Sequence, residues 1–121
     1  MKKTPFFVGI VGHKKSGKTS LIEILTKELK SRAVFTGLGY EDEGFKNDIF
    51  RKCDFVFIEG DTHSGYPKIY VADDNKLRDD INGKIVAVWG KQIELEGVPN
   101  FNLSSIDDFC VFLQTLKNSD L

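Results

Sequence analysis

The fold of this chain is decided by residues 6–19, which read Phe6-Phe7-Val8-Gly9-Ile10-Val11-Gly12-His13-Lys14-Lys15-Ser16-Gly17-Lys18-Thr19. The first part is a short apolar run ending in glycine, which is typical of a strand buried on both faces of a parallel sheet. The second part fits the pattern G-x-x-x-x-G-K-[ST] in full, and the residues after it repeat apolar side chains at close to the helical period. Strand, loop and helix therefore follow one another in the order that a phosphate-binding loop requires.

The chemistry of such a loop follows from its backbone. Glycines permit a turn whose N–H groups converge on phosphate oxygens, and the N-terminus of the following helix adds partial positive charge. Lys18 is expected to reach the β- and γ-phosphates of a nucleotide, and the Thr19 hydroxyl is expected to hold Mg²⁺. The predicted nucleotide-binding residues are those of the motif and the one after it: Gly12, His13, Lys14, Lys15, Ser16, Gly17, Lys18, Thr19 and Ser20.

The motif does not assign a role to three residues of the loop. Lys14 and Lys15 are either phosphate contacts or solvent-facing charges, and the sequence favours neither interpretation. His13 is interpreted as a loop residue rather than as a catalyst.

A carboxylate for the metal is expected at the end of a neighbouring buried strand. Residues 54–60 form the second strong strand pattern, with four apolar residues between Asp54 and the pair Glu59-Gly60. Glu59 is therefore predicted as a metal ligand together with Thr19, whereas Asp54 lies at the far end of the strand and is interpreted as structural. Asp61 is a further candidate for the metal or its surroundings, and His63 is interpreted as a surface residue.

The remaining patterns alternate between strands and helices. Helices are predicted over 19–32, 44–52 and the closing segment, where Ser105 and Asp108 are expected to form a capping box. Strands are predicted over 33–38, over 84–89 and over 68–71, the last of these at a sheet edge. We predict an α/β fold, a P-loop three-layer sandwich with a mostly parallel sheet, in one compact nucleotide-binding domain spanning residues 1–121.

Composition narrows the function classes. The chain has 121 residues, with 17 Lys and Arg against 18 Asp and Glu for a net charge of −1, so it lacks the basic excess of a nucleic-acid binder. No apolar run approaches the length that crosses a bilayer, and the start does not resemble a signal peptide. We therefore expect a cytoplasmic protein that binds neither nucleic acid nor membrane. Cys53 and Cys110 lie in apolar runs and are predicted to be reduced, buried thiols.

Two large classes of nucleotide-binding protein are disfavoured by missing motifs. A Ras-like GTPase would carry D-x-x-G and N/T-K-x-D, but the segment Asp61 to Gly65 is one residue too long and Gly90-Lys91-Gln92-Ile93 lacks the aspartate. A small-molecule kinase would carry several arginines in a lid. Of the three arginines here, only Arg78 lies in a polar stretch that suits such a lid.

Taken together, these features resemble the MobB family, the accessory proteins of molybdopterin-guanine dinucleotide biosynthesis. The resemblance rests on the loop Gly12 to Thr19 and on four later segments, which cover about two-thirds of the chain in family order. The four segments are the strand ending in Glu59-Gly60, Pro67 to Val71, Ile85 to Trp89, and Val98 to Leu103.

The resemblance implies a GTP-binding protein with weak or no GTPase activity. It also implies a homodimer, Mg²⁺ as cofactor, and a molybdopterin nucleotidyltransferase as partner. The chain departs from the family after the second strand, where Thr36 to Cys53 is shortened and lacks a Lys-His motif. ATP remains possible in place of GTP, and the alternative functions are a small P-loop phosphotransferase and an ATP-binding module acting on another metabolite.

Overall fold

A computed structural model describes residues 5–29, 33–36, 54–74 and 76–119. Six strands and two α-helices are found in these ranges. The strands are β1 (Phe6–Gly12), β2 (Ala33–Thr36), β3 (Phe55–Glu59), β4 (Lys68–Ala72), β5 (Ile85–Gly90) and β6 (Asn100–Phe101). The helices are α1 (Lys18–Glu28) and α2 (Ile106–Asn118), with a 3-10 turn at Leu103–Ser105 between β6 and α2. The helix predicted over 44–52 lies outside the described residues, as does Cys53.

All six strands run parallel in a single sheet of order β2-β3-β1-β4-β5-β6. The predicted α/β fold with a parallel sheet is therefore confirmed. The strand that carries the motif lies in the interior of the sheet, with β3 on one side and β4 on the other. Because the carboxyl ends of parallel strands meet at one edge, the residues that follow β1, β3 and β4 are brought to the same side of the molecule.

The main core lies between the sheet and the two helices. Alternate residues of the central strands point to this face and meet the apolar faces of α1 and α2, as the helical periodicity predicts. Its buried members include Val8, Ile10, Leu21, Leu25, Phe55, Phe57, Ile69, Val71, Trp89, Phe109 and Leu113. On the opposite face, the described residues that cover the sheet belong to the connections after β3, β4 and β5.

The connection from β3 to β4, residues 60–67, crosses β1 without a helix. This short path suffices because the strands are staggered: Gly9 of β1 pairs with Ile58 near the end of β3 and with Lys68 at the start of β4. Gly9 also permits the crossing itself. A Cβ atom at this position would lie 2.6 Å from the Lys68 side chain and 3.1 Å from the Asp61 carbonyl oxygen, so a larger residue would push the connection off the sheet.

Two sequence predictions about the elements were wrong, and one strand was not predicted. The strand at Lys68–Ala72 is interior and not at an edge, because its lysine is buried against the residues after β3 rather than directed to water. The edge beside β5 is β6, which the sequence analysis did not predict. The capping box is formed by Asn102 and Ser105 at the 3-10 turn, whereas Ser105 makes no side-chain cap on α2.

Within the described ranges, neither helix combines the length and the apolar character needed to cross a bilayer.

Candidate functional site

The loop of residues 13–17 joins the end of β1 to the start of α1, as the motif predicts. Gly17 is the N-cap residue of α1 and has a φ of 103°, a left-handed conformation that glycine adopts without steric cost. No described side chain caps the helix, and its first turn contains no acidic residue. The N–H groups of this turn therefore remain available to an external anion.

Lys15 has a φ of 61°, a left-handed conformation for a residue with a side chain. Holding such a residue in this conformation costs about 1–2 kcal/mol. The turn between Gly12 and Gly17 imposes this cost, and it directs the Lys15 side chain to the rim of the cavity described next.

A cavity of about 260 Å³ lies over the N-terminus of α1. It brings together most of the predicted nucleotide-binding residues with the predicted acidic partner: Lys15, Ser16, Gly17, Lys18, Thr19, Ser20 and Glu59. Gly12, His13 and Lys14 are not part of its lining. His13, Lys14 and Lys15 are all exposed, and of the two lysines only Lys15 lines the cavity.

Lys18 folds back over the loop that precedes it. Its Nζ donates a hydrogen bond to the His13 carbonyl oxygen at 2.7 Å and a longer one to Ser16 Oγ at 3.5 Å. The hydrogen bond to His13 is exposed, and it holds the ammonium group against the loop. A phosphate in the cavity would meet a cation that is already held in place.

Thr19 and Glu59 meet although they are forty positions apart in the sequence. The Thr19 hydroxyl donates a hydrogen bond to Glu59 Oε1 at 2.9 Å. Glu59 is the last residue of β3 and pairs with Ile10, so the parallel register carries its carboxylate to the start of α1. The sequence predicted this pair as the metal ligands, and the fold brings the two side chains into contact.

These two oxygen ligands suit Mg²⁺, which proteins commonly bind through one or two side chains together with substrate phosphates and water. The described residues contain no cluster of three or more His, Cys, Asp or Glu that would hold a metal by protein ligands alone. Thr19 and Glu59 are therefore two oxygen donors that could contribute to such a site, with the remaining ligands supplied from elsewhere.

Asp61, a further candidate for the metal, has a different role. It is 2% exposed, lies 3.6 Å from Lys68 Nζ, and accepts hydrogen bonds from the backbone N–H and the hydroxyl of Ser64. Its carboxylate thus points into the connection after β3 and away from Thr19 and Glu59. His63 is exposed, in agreement with its interpretation as a surface residue.

Sequence reasoning missed the role of Lys68. This lysine is fully buried, and its Nζ donates to the carbonyl oxygens of Ser64 and Tyr66, both at 2.8 Å. Burial lowers the pKa of Lys68, against the opposing effect of the Asp61 charge and hydrogen bond. The signal in the sequence was a lysine that begins the apolar strand Lys68–Ala72, with the acidic residue Asp61 in the preceding loop.

Arg78, the arginine in the polar stretch after β4, contacts the motif directly. Its Nη1 donates to the Gly12 carbonyl oxygen at 2.9 Å, which joins the segment after β4 to the first residue of the loop. Cys110, by contrast, is half-buried on α2, remote from the cavity, and burial raises the pKa of its thiol. The thiol is free, but it is half-buried and not buried as predicted.

Comparison with solved structures identifies similar folds. A MobB protein homologue from Bacillus stearothermophilus has a TM-score of 0.70 at 19% identity, over 93% of this chain and 98% of the other. A molybdopterin-guanine biosynthesis protein B (MobB) has a TM-score of 0.71 at 17% identity, over 93% and 99%. MobB from Bacillus subtilis has a TM-score of 0.65 at 17% identity, over 92% and 97%.

No protein-family model and no curated protein matches the sequence. The structural likeness therefore rests on topology, at identities where the fold alone is shared. The resemblance predicted from the motif and the later strands is confirmed at that level: this chain has the α/β fold of the MobB proteins.

Proposed function

We propose that this protein binds a Mg²⁺-nucleoside triphosphate, with GTP as the expected nucleotide, and acts as an accessory protein in molybdenum cofactor biosynthesis. The observation that carries the nucleotide proposal is the hydrogen bond between Thr19 and Glu59 beside the cavity at the N-terminus of α1. Two oxygen ligands for a metal, a fixed lysine and an uncapped helix N-terminus together meet the needs of a triphosphate and its cation.

We propose that different residues of the site bind the phosphates and the metal. Lys18 and the N–H groups at the start of α1 would bind the β- and γ-phosphates, and Lys15 would add positive charge at the rim. Thr19 and Glu59 would hold Mg²⁺, which supplies charge neutralisation and orients the phosphate oxygens when bound. The pathway proposal rests on the fold shared with MobB proteins, and it includes a molybdopterin nucleotidyltransferase as partner and a homodimer as the assembly.

Calorimetric titration with GTP and ATP, each with and without Mg²⁺, tests nucleotide binding. We expect binding with Mg²⁺, and the absence of millimolar or tighter binding to either nucleotide would refute the proposal. Lys18→Ala is expected to weaken binding by about ten- to hundredfold, since it removes a charge-assisted contact to phosphate.

Substitution of Thr19 distinguishes the contribution of the metal to nucleotide binding from that of the phosphate contacts. Thr19→Ala is expected to weaken Mg²⁺-nucleotide binding more than metal-free binding, and Thr19→Ser, which keeps the hydroxyl, is the matched control. Equal losses with and without Mg²⁺ would contradict the metal role of the hydroxyl. Glu59→Gln should likewise reduce the dependence on Mg²⁺.

The accessory role is tested by activity and by capture. An accessory protein should show no phosphate transfer that depends on an acceptor, and acceptor-dependent turnover over a panel of metabolites would instead establish a phosphotransferase. Co-purification of the native protein should recover a bound nucleotide and a molybdopterin nucleotidyltransferase. Light scattering on the purified chain measures whether it is a dimer.

A further inference from the structure

The guanidinium of Arg78 is held at the mouth of the loop by three hydrogen bonds. Nη1 donates to the Gly12 carbonyl oxygen at 2.9 Å, Nε donates to Asp80 Oδ1 at 2.9 Å, and Nη2 donates to Asp80 Oδ2 at 2.5 Å. An arginine has five N–H donors. One N–H on Nη1 and one on Nη2 have no hydrogen-bond partner within the described part of the chain.

The backbone around Arg78 is fixed as well. Its N–H donates to the hydroxyl of Tyr70 at 3.0 Å, and this buried tyrosine in turn donates to the Lys76 carbonyl oxygen at 3.2 Å. The Tyr70 hydroxyl therefore fixes the segment after β4 to the sheet, and Arg78 is held by both its main chain and its side chain. Its side chain is still 31% exposed, so it can be reached from solvent.

Arg78 bridges the ends of β1 and β4, the neighbouring strands between which the strand order of the sheet reverses. From β1 the chain proceeds to α1 and to the β2-β3 side of the sheet, whereas from β4 it proceeds to β5 on the other side. Ligands of open parallel sheets bind at this type of switch point, outside the carboxyl ends of the strands. The contact between Arg78 and Gly12 crosses it, since Gly12 ends β1 and Arg78 follows β4.

The metal ligands give a bound nucleotide its direction. Glu59 ends β3, which lies on the opposite side of β1 from β4. A triphosphate with its metal at Thr19 and Glu59 therefore has its terminal phosphate toward β3. The cavity of about 260 Å³ is lined by Glu59 and residues of the loop and the start of α1, so phosphates placed there with the metal toward β3 would direct the nucleoside to the other side of β1, toward β4.

We propose that Arg78 contacts the nucleoside half of the bound nucleotide, stacking its planar guanidinium on the base or donating its two remaining N–H groups to base or ribose oxygens and nitrogens. Arginine suits this role because its planar group stacks on aromatic rings and donates in the same plane. Asp80 acts as a positioning residue that holds the guanidinium in its orientation. This inference rests on the proposed function, because it requires a nucleoside triphosphate in the cavity.

The test compares ligands with and without a nucleoside. GTP, ATP and inorganic tripolyphosphate are titrated with Mg²⁺ into the full chain and its variants. Arg78→Ala is expected to weaken binding of the preferred nucleotide by about tenfold, while tripolyphosphate binding stays within about twofold of the wild type. Tripolyphosphate thus reports that the loop remains folded, and the ratio of the two affinities is a readout that a merely structural role would not change.

Two further variants sharpen the test. Arg78→Lys keeps the charge but loses the planar group, so the affinity of this variant for the nucleotide should also be several-fold lower than that of the wild type. Lys84→Ala removes an exposed cation beside the amino end of β5, far from the crevice, and should leave both affinities unchanged.

Three results would overturn the inference. They are equal losses for nucleotide and tripolyphosphate, full rescue by lysine, and no loss in Arg78→Ala. If the wild type bound neither nucleotide nor tripolyphosphate, the proposed function itself would fail. If the wild type bound nucleotide and Arg78→Ala bound it equally well, the role of Arg78 alone would fail.

Discussion

Lys68→Met should strongly destabilise the protein. Lys68 is fully buried between Gly9 and the connection after β3, and methionine has a similar length and no charge. The substitution therefore keeps most of the packing and removes the ammonium group. What it leaves behind is the buried carboxylate of Asp61, 3.6 Å from the former Nζ position, and the carbonyl oxygens of Ser64 and Tyr66.

The magnitude follows from these partners. Breaking a buried ion pair by removing one member typically costs about 3–5 kcal/mol. The carbonyl oxygens of Ser64 and Tyr66 belong to half-buried residues, so water can replace the lost donor and they add little to this cost. Asp61 keeps its two hydrogen bonds from Ser64, which limits the loss. We therefore expect the free energy of unfolding to fall by about 3–5 kcal/mol, a large part of the roughly 5–15 kcal/mol of a small domain.

Urea denaturation followed by tryptophan fluorescence measures this change, because the single tryptophan, Trp89, is buried against Phe109 in the main core. Lys84→Met, at an exposed lysine, is the matched control and should stay within about 0.5 kcal/mol of wild type. A loss below about 1 kcal/mol for Lys68→Met would refute the argument. The double variant Lys68→Met/Asp61→Asn should recover about 1–3 kcal/mol, and no recovery would show that the stranded carboxylate is not the cause.

Three other predictions test separate parts of the structure. Lys15→Gly should raise the free energy of unfolding by roughly 1 kcal/mol by relieving the positive φ, and Lys14→Gly in the same loop should not. Burial lowers the folded-state pKa of Lys68, so the unfolded chain binds that proton more tightly than the folded chain does. The free energy of unfolding of the wild type, minus that of Lys68→Met, should therefore rise with pH in the range below 10.5. A difference that does not change with pH would contradict this prediction. Asn100→Ala should cost about 1–2 kcal/mol in urea denaturation, because it removes both hydrogen bonds to the Ile93 main chain, and a loss under 0.5 kcal/mol, roughly the scatter of surface substitutions, would show that the loop does not need them.

The local parts of the fold could be predicted from the sequence because each depends on neighbouring residues. The apolar run before Gly12 and the helical period after Thr19 placed β1 and α1 close to their observed limits, with the predicted helix extending beyond its described end. The apolar face of the final helix was also predicted, and Phe109 and Leu113 are its buried members. Periodicity and turn chemistry are short-range properties, so a single sequence expresses them.

Long-range pairing explains the predictions that were wrong. The strand that begins with Lys68 was predicted at a sheet edge, but it lies in the interior, where Asp61 and two carbonyl oxygens make the burial of this lysine possible. The same pairing removed Asp61 from the metal candidates. β6 was missed because two residues, Asn100 and Phe101, carry too little periodicity to indicate a strand, and the contact with β5 makes them one.

By itself, the sequence of this protein determined that a glycine- and lysine-containing loop joins a buried strand to a helix, since a complete local motif specifies its own backbone. It also supplied Glu59 as a partner, since the end of a buried strand is a position that chain order defines. Only the tertiary structure decided that Glu59 lies 2.9 Å from Thr19, that Asp61 pairs with Lys68, and that Arg78 reaches Gly12. Those contacts depend on the order and stagger of the strands, which are set by packing across the whole sheet and not by any neighbouring residues in the chain.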